Sequence, residues 1–192
     1  PSGDGRSFLI NARMETAAEK PTFRDAFTNR RCLVVSSGWY EWSAPKQPWH
    51  VQLCDGGVMA FGGLLFRRGD HDRFMVMTSG ADGDLASIHH RAPLVLPPDS
   101  WQRWLTGGAE VAAELCVAAP SNWFNWYRVG PDVGKVAADH PELVTPLDDA
   151  ALQPANAITR GGVQVGCSFL PRDDTAPAAD ASSASSSCAL CR

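Results

Sequence analysis

Three stretches of this sequence place proton-moving or anion-holding groups inside apolar surroundings. Asn11 and Arg13 follow the apolar run 8–10, and the alternation of an extended chain puts both on one face. Glu41 lies between Tyr40 and Trp42. Aromatic neighbours strip water from a carboxylate, raise its pKa and suit it to general acid–base work. His89, His90 and Arg91 stand together before Ala92, Pro93 and a short apolar run, setting an imidazole beside a guanidinium. Each group also has a plainer role open to it. Glu41 could face water on a strand edge, the two histidines could be structural, and Asn11 and Arg13 could form a satisfied pair. Only their combination favours chemistry. The five histidines show no ligand spacing with Cys or Asp, so neither a metal nor another cofactor is expected. Cys188 and Cys191 have C-x-x-C spacing, but two ligands do not complete a zinc site. The other four cysteines read as partly buried thiols.

The elements that must position these groups are mostly short strands. Residues 7–13, 31–36, 39–42, 48–53, 58–66, 73–78 and 94–96 are rich in β-branched or aromatic side chains and bounded by polar or Gly turns. Two helices are expected. Thr22 can cap one that presents Phe23, Ala26 and Phe27 on a single face, and Asp99 or Ser100 can cap another carrying Trp101, Trp104 and Leu105. Many short strands with a few peripheral helices predict an α+β domain on a mainly antiparallel, barrel-like sheet. That domain is expected over residues 6–147. A small, polar linker with one possible edge strand follows over 148–170, and an Ala/Ser-rich tail over 171–192 reads as disordered.

At 192 residues, 44% hydrophobic and 20% charged, the chain has the composition of one globular domain. No apolar run approaches the ~20 residues of a spanning helix, and no signal peptide is visible, so an intracellular location and no membrane partner are expected. The net charge of −4 argues against a broadly basic nucleic-acid face. The charge is uneven: residues 6–103 carry +2 and residues 104–192 carry −5. A polyanion site would therefore be a local arginine cluster in the first half.

Asn11-Ala-Arg13-Met-Glu15-Thr16, Lys20-Pro21-Thr22-Phe23-Arg24, Arg30-Arg31-Cys32, Gly38-Trp39-Tyr40-Glu41-Trp42 and Ile88-His89-His90-Arg91-Ala92-Pro93 occur in that order. Together they resemble the SOS-response-associated-peptidase (SRAP) family, whose members recognise abasic sites in single-stranded DNA. The likeness runs over about residues 7–147 and implies that family's fold, abasic-site crosslinking, and peptidase and lyase chemistry. It implies that Asn11 orients the N-terminal residue and the opened sugar, and that Glu41 is the acid/base. His89, rather than His90, would assist ring opening, crosslink reversal and strand cleavage. Arg13 and Arg91 correspond to phosphate-contacting arginines, roles for which planar forks suit. Thr78 corresponds to a threonine at the end of the preceding strand, and Arg24 is expected to add to DNA binding. The implied partner is single-stranded DNA containing abasic sites, bound by a monomer.

Two departures from the family pattern bear on function. Ala92 stands where the family carries Met. The sequence also opens just before the Asn-Ala-Arg strand, so it is expected to be N-terminally truncated, without the family's nucleophilic Cys and aromatic wedge. Reduced activity, a binding module without covalent chemistry, or an inactive remnant would follow. The thiazolidine that the resemblance implies needs an amine and a thiol on one residue, and residue 1 is Pro. No heat-stable crosslink to a single-stranded abasic oligonucleotide is therefore expected from the sequence as written. A denaturing gel checks this, and a band seen only after borohydride would point to Pro1 or a lysine.

Overall fold

The computed structural model describes residues 9–68, 71–147 and 153–154. Ten strands lie in two sheets: β1 (Asn11–Arg13), β2 (Arg31–Ser36), β3 (Trp39–Ala44), β4 (Gln47–Leu53), β5 (Met59–Arg68), β6 (His71–Gly80), β7 (Arg91–Pro93), β8 (Val95–Leu96), β9 (Phe124–Arg128) and β10 (Gln153–Pro154). Among the described residues four short α-helices accompany them: α1 (Met14–Ala17), α2 (Pro21–Asn29), α3 (Trp101–Thr106) and α4 (Ala109–Glu114).

The first sheet runs β1-β6-β5-β2, and the second runs β10-β9-β4-β3. Every pairing is antiparallel except β1 with β6, which is parallel. The architecture is thus α+β with curled, mainly antiparallel sheets, as the strand pattern predicts. Strands β5 and β6 pair from Arg68 and His71 as far as Gly63 and Val76, then separate. The chain at 91–96 enters the gap, with β7 pairing to β6 and β8 pairing to β5. Leu94 sits at the junction: its N–H donates to Met77 O (2.8 Å) and its C=O accepts from Gly62 N (2.8 Å).

Alternation along the first sheet sends side chains to two cores. Ala12, Leu64, Met77, Leu94 and Leu96 face Phe23, Ala26, Phe27, Trp104 and Ala112 of the helices. Phe61, Ala92 and Val95 face Val51, Leu53, Phe124 and Trp126 of the second sheet. In the helical layer, buried Arg31 joins the C-terminal ends of α2 and α3. Its Nε donates to Trp104 O (2.6 Å), Nη1 to Phe27 O (2.5 Å) and Thr28 O (2.9 Å), and Nη2 to Gly107 O. The orphan carbonyls of two helix ends therefore gain a cationic donor.

Both helices stand where the sequence predicts, but their starts differ. Pro21 opens α2 with Lys20 at the N-cap and no side-chain cap, so Thr22 lies inside the helix. Proline's fixed φ favours that first position. Ser100 occupies the N-cap of α3, yet its hydroxyl donates back to Pro97 O (2.7 Å) instead of capping. Strand β10, opposite Asn125 and Trp126, falls within the expected linker. The possible edge strand at 162–170 and the tail at 171–192 lie outside the described residues.

Leu94 is fully buried and holds the splayed strands together, so Leu94→Ala leaves a cavity at the seam. Urea denaturation is expected to show a loss of about 2–5 kcal/mol.

Candidate functional site

At the open edge between the two sheets lies a concavity of about 280 Å³, lined by Asn11, Glu41, Thr78, His89 and Arg91 together with Trp39, Tyr40, Phe61, Val76, Ala92 and Pro93. Five backbone segments converge there, β5 contributing only Phe61. The parallel pairing sets Asn11 opposite Val76 and Arg13 opposite Thr78, so the polar face of β1 continues the polar end of β6. Strand β3 brings Glu41 from the second sheet. The turn between β6 and β7 brings His89.

That turn is anchored from below. Leu85 and Ile88 insert into the inter-sheet core, and Ala81 N donates to His90 O (3.0 Å). Asp82 accepts a hydrogen bond from Ser121 N (3.1 Å). Gly83 has φ +50°, and a Cβ there would sit 2.4 Å from Ser121 Oγ, so both backbone sign and space require glycine. The result is a rigid mount for His89.

Glu41 Oε1 lies 3.6 Å from His89 Nδ1, and the Glu41 side chain is 22% exposed. Burial pushes the Glu41 carboxyl above the ordinary glutamate range, against the opposing pull of His89. His89 Nδ1 is also 3.1 Å from Arg91 O and 3.3 Å from Arg91 N. It can donate to the carbonyl when protonated or accept from the N–H when not, so both states of the ring have a backbone partner. The His90 ring lies tilted at 50° against His89 with centroids 4.4 Å apart, but His90 is exposed. A half-buried carboxyl and an imidazole, each able to hold or release a proton, therefore share one small cavity.

Arg91 is already engaged. Its Nη1 donates to Glu15 Oε1 (2.5 Å), and Nη2 donates to Glu15 Oε2 (3.0 Å), Thr78 Oγ1 (3.0 Å) and Thr78 O. Arg91 Nε is buried without a partner. The guanidinium holds the Glu15 carboxyl below its usual range.

The structure thus brings together Asn11, Glu41, Thr78, His89 and Arg91. Arg13 is exposed on the same strand face as Asn11, beyond the cavity lining. Arg24 does not join them. It is exposed on α2, whose buried face packs on the opposite side of the first sheet. Glu15 appears in the sequence only as part of a motif. Its pairing across 76 residues has no local signature. Burial pushes the Cys116 thiol up to about 11. Among the described residues, no three His, Cys, Asp or Glu side chains gather to hold a metal. Nor is any helix there long and apolar enough to cross a membrane.

Residues 2–136 match the family model described as SOS response associated peptidase (SRAP). The chain belongs to that family. It is 37% identical over 152 residues to abasic site processing protein YedK of Escherichia coli (strain K12), covering 72% of this chain and 68% of that protein. Abasic site processing protein YoaM of Bacillus subtilis (strain 168) is 32% identical over 106 residues, or 50% of this chain, and the chain spans 47% of its length. Among solved structures, a Bacteroides thetaiotaomicron protein superposes with TM-score 0.62 at 26% identity, covering 71% of this chain and 65% of its own. The solved structure shares this fold, and the two curated relatives are named for processing abasic sites.

The raised Glu41 pKa has a stability consequence. A carboxyl whose folded pKa is raised favours the fold when protonated and opposes it once ionised, so the ionised group is destabilising at neutral pH. Glu41→Gln is expected to be more stable than the parent at pH 7. The advantage should vanish as pH falls below the ordinary glutamate value of 4.5, as urea melts across that range would report.

Proposed function

We propose that this SRAP-family chain processes abasic sites in single-stranded DNA, acting inside the cell on the exposed sugar at the lesion. The observation that carries the reading is the Glu41–His89 pair, 3.6 Å apart in the cavity between the sheets. An abasic site presents an aldehyde in equilibrium with a closed sugar ring. Opening that ring and eliminating the 3′ phosphate both require proton transfers, which a carboxyl and an imidazole can supply. The cavity, about 280 Å³, falls just below the ~300–1,000 Å³ common for drug-sized ligands, a size in keeping with a base-less sugar. Asn11 offers both a donor and an acceptor to the opened sugar.

The strand would run past Thr78 and Arg91, with Arg13 on the same face as a second cationic fork. A duplex would not bring a sugar into a cleft at a sheet edge, whereas a flexible single strand can turn one inward. In this reading Glu41 and His89 act on the lesion, and the arginines hold its phosphates.

Two variants separate catalysis from binding. Glu41→Gln is expected to bind a single-stranded abasic oligonucleotide as the parent does while slowing its processing by about 10²–10⁴-fold, measured by single-turnover gel assay. Arg91→Ala is expected to weaken binding to all single-stranded sequences and to reduce the log–log salt slope by about 0.7, the increment for one phosphate contact. Equal processing by Glu41→Gln and parent would favour a DNA-binding module without chemistry. Equal affinity for Arg91→Ala and parent would remove the strand path from Arg91.

A further inference from the structure

Arg91, the guanidinium best placed to meet a DNA phosphate, already carries a carboxylate on its outward edge. Glu15 projects from the four-residue helix α1 and takes one N–H from each terminal nitrogen of Arg91. Nη2 gives its other N–H to Thr78, and Nε is buried. The Arg91 side chain is 18% exposed and that of Glu15 is 45% exposed, so the carboxylate is the solvent-facing half of the pair. Two carboxylate oxygens on a guanidinium edge occupy the same geometry as two phosphate oxygens. A phosphodiester can take that edge only by replacing them.

We propose that Glu15 is an internal competitor for the DNA backbone, a substrate-mimicking carboxylate that sets how tightly Arg91 holds a phosphate. This inference rests on the single-stranded DNA reading above. Strand entry exchanges one ion pair for another: the phosphate gains the Arg91 edge as Glu15 swings into water. The exchange keeps the guanidinium desolvated and aligned with Thr78 in both states. It also lowers the net gain from any single phosphate, so an undamaged strand is released readily. Glu15 is the one exposed residue of α1, so its side chain can swing while Met14 and Ala17 keep the helix packed on the core.

Affinity for a fluorescent single-stranded oligonucleotide, measured by anisotropy at fixed salt, tests the proposal. Glu15→Gln is expected to bind about two- to fivefold tighter than the parent, the scale of a half-exposed ion pair. Glu19→Gln removes the same charge at an exposed position four residues away and should gain less. In an Arg91→Ala background, Glu15→Gln should give no gain beyond that of Glu19→Gln. Thermal melts of each variant report whether the fold is intact. Weaker binding by Glu15→Gln would make Glu15 a positioning residue for Arg91 and overturn the competitor role. A gain no larger than that of Glu19→Gln, or one that persists without Arg91, would overturn it as well. Absence of single-strand binding by parent and variants alike would instead remove the DNA reading itself, and this inference with it.

Discussion

The separation of β5 from β6 beyond Gly63 and Val76 governs the rest of the molecule. A sheet that parts leaves unpaired backbone groups, which cannot remain buried without partners. The segment 91–96 satisfies them from both sides, with Leu94 bonded to Met77 and to Gly62. That insertion fixes Arg91 and, through the turn anchored by Leu85 and Ile88, His89. Strand β3 of the second sheet delivers Glu41 to the same place. The placement of His89 and Arg91 at the cavity thus follows from a backbone constraint met at one point.

Two arginines, one buried and one part-buried, show how differently the fold treats a cation. Arg31 gives its N–H groups to four main-chain carbonyls and closes the ends of two helices. It is structural, and the chain offers it nothing exchangeable. Arg91 faces a side-chain carboxylate and leaves Nε without a partner. Glu41 is similarly held in a poorly solvated place that favours its neutral form. Incomplete satisfaction of this kind is costly to a fold, and here it falls on two groups that line the same cavity.

Much of the fold is legible from local composition. The β-branched run at 31–36 is strand β2 end to end, and Phe23, Ala26 and Phe27 form the buried face of α2. What escaped sequence reasoning depended on distance or on a competing local rule. Pro21 overrode Thr22 as the start of α2. Strand β7 is three residues long and exists only because the 91–96 segment finds a gap. Strand β9 carries three aromatics over five residues, a signal present in the sequence but passed over. The pairing of Glu41 with His89 needs two sheets to meet, and the ordered motifs anticipate it where periodicity cannot. Arg24 lies away from the cavity, a placement the sequence does not show, because helical periodicity tells which face is buried and not which side of a sheet the helix covers. Glu15 was overlooked for a related reason: an exposed acidic residue on a short helix looks like ordinary surface.

The parallel pairing of β1 with β6 also dictates an order of assembly. Hairpins β3–β4 and β5–β6 close over a few residues, whereas Asn11 meets Val76 across 65 positions, and Glu15 meets Arg91 across 76. Contacts of that range form only after the loop-closure entropy has been met, so they belong to the slow, late part of folding. A nascent chain can hold its hairpins and both hydrophobic cores in outline while the amide, the acid–base pair and the cationic fork remain apart. The residues around the cavity therefore come together only as these long-range contacts close.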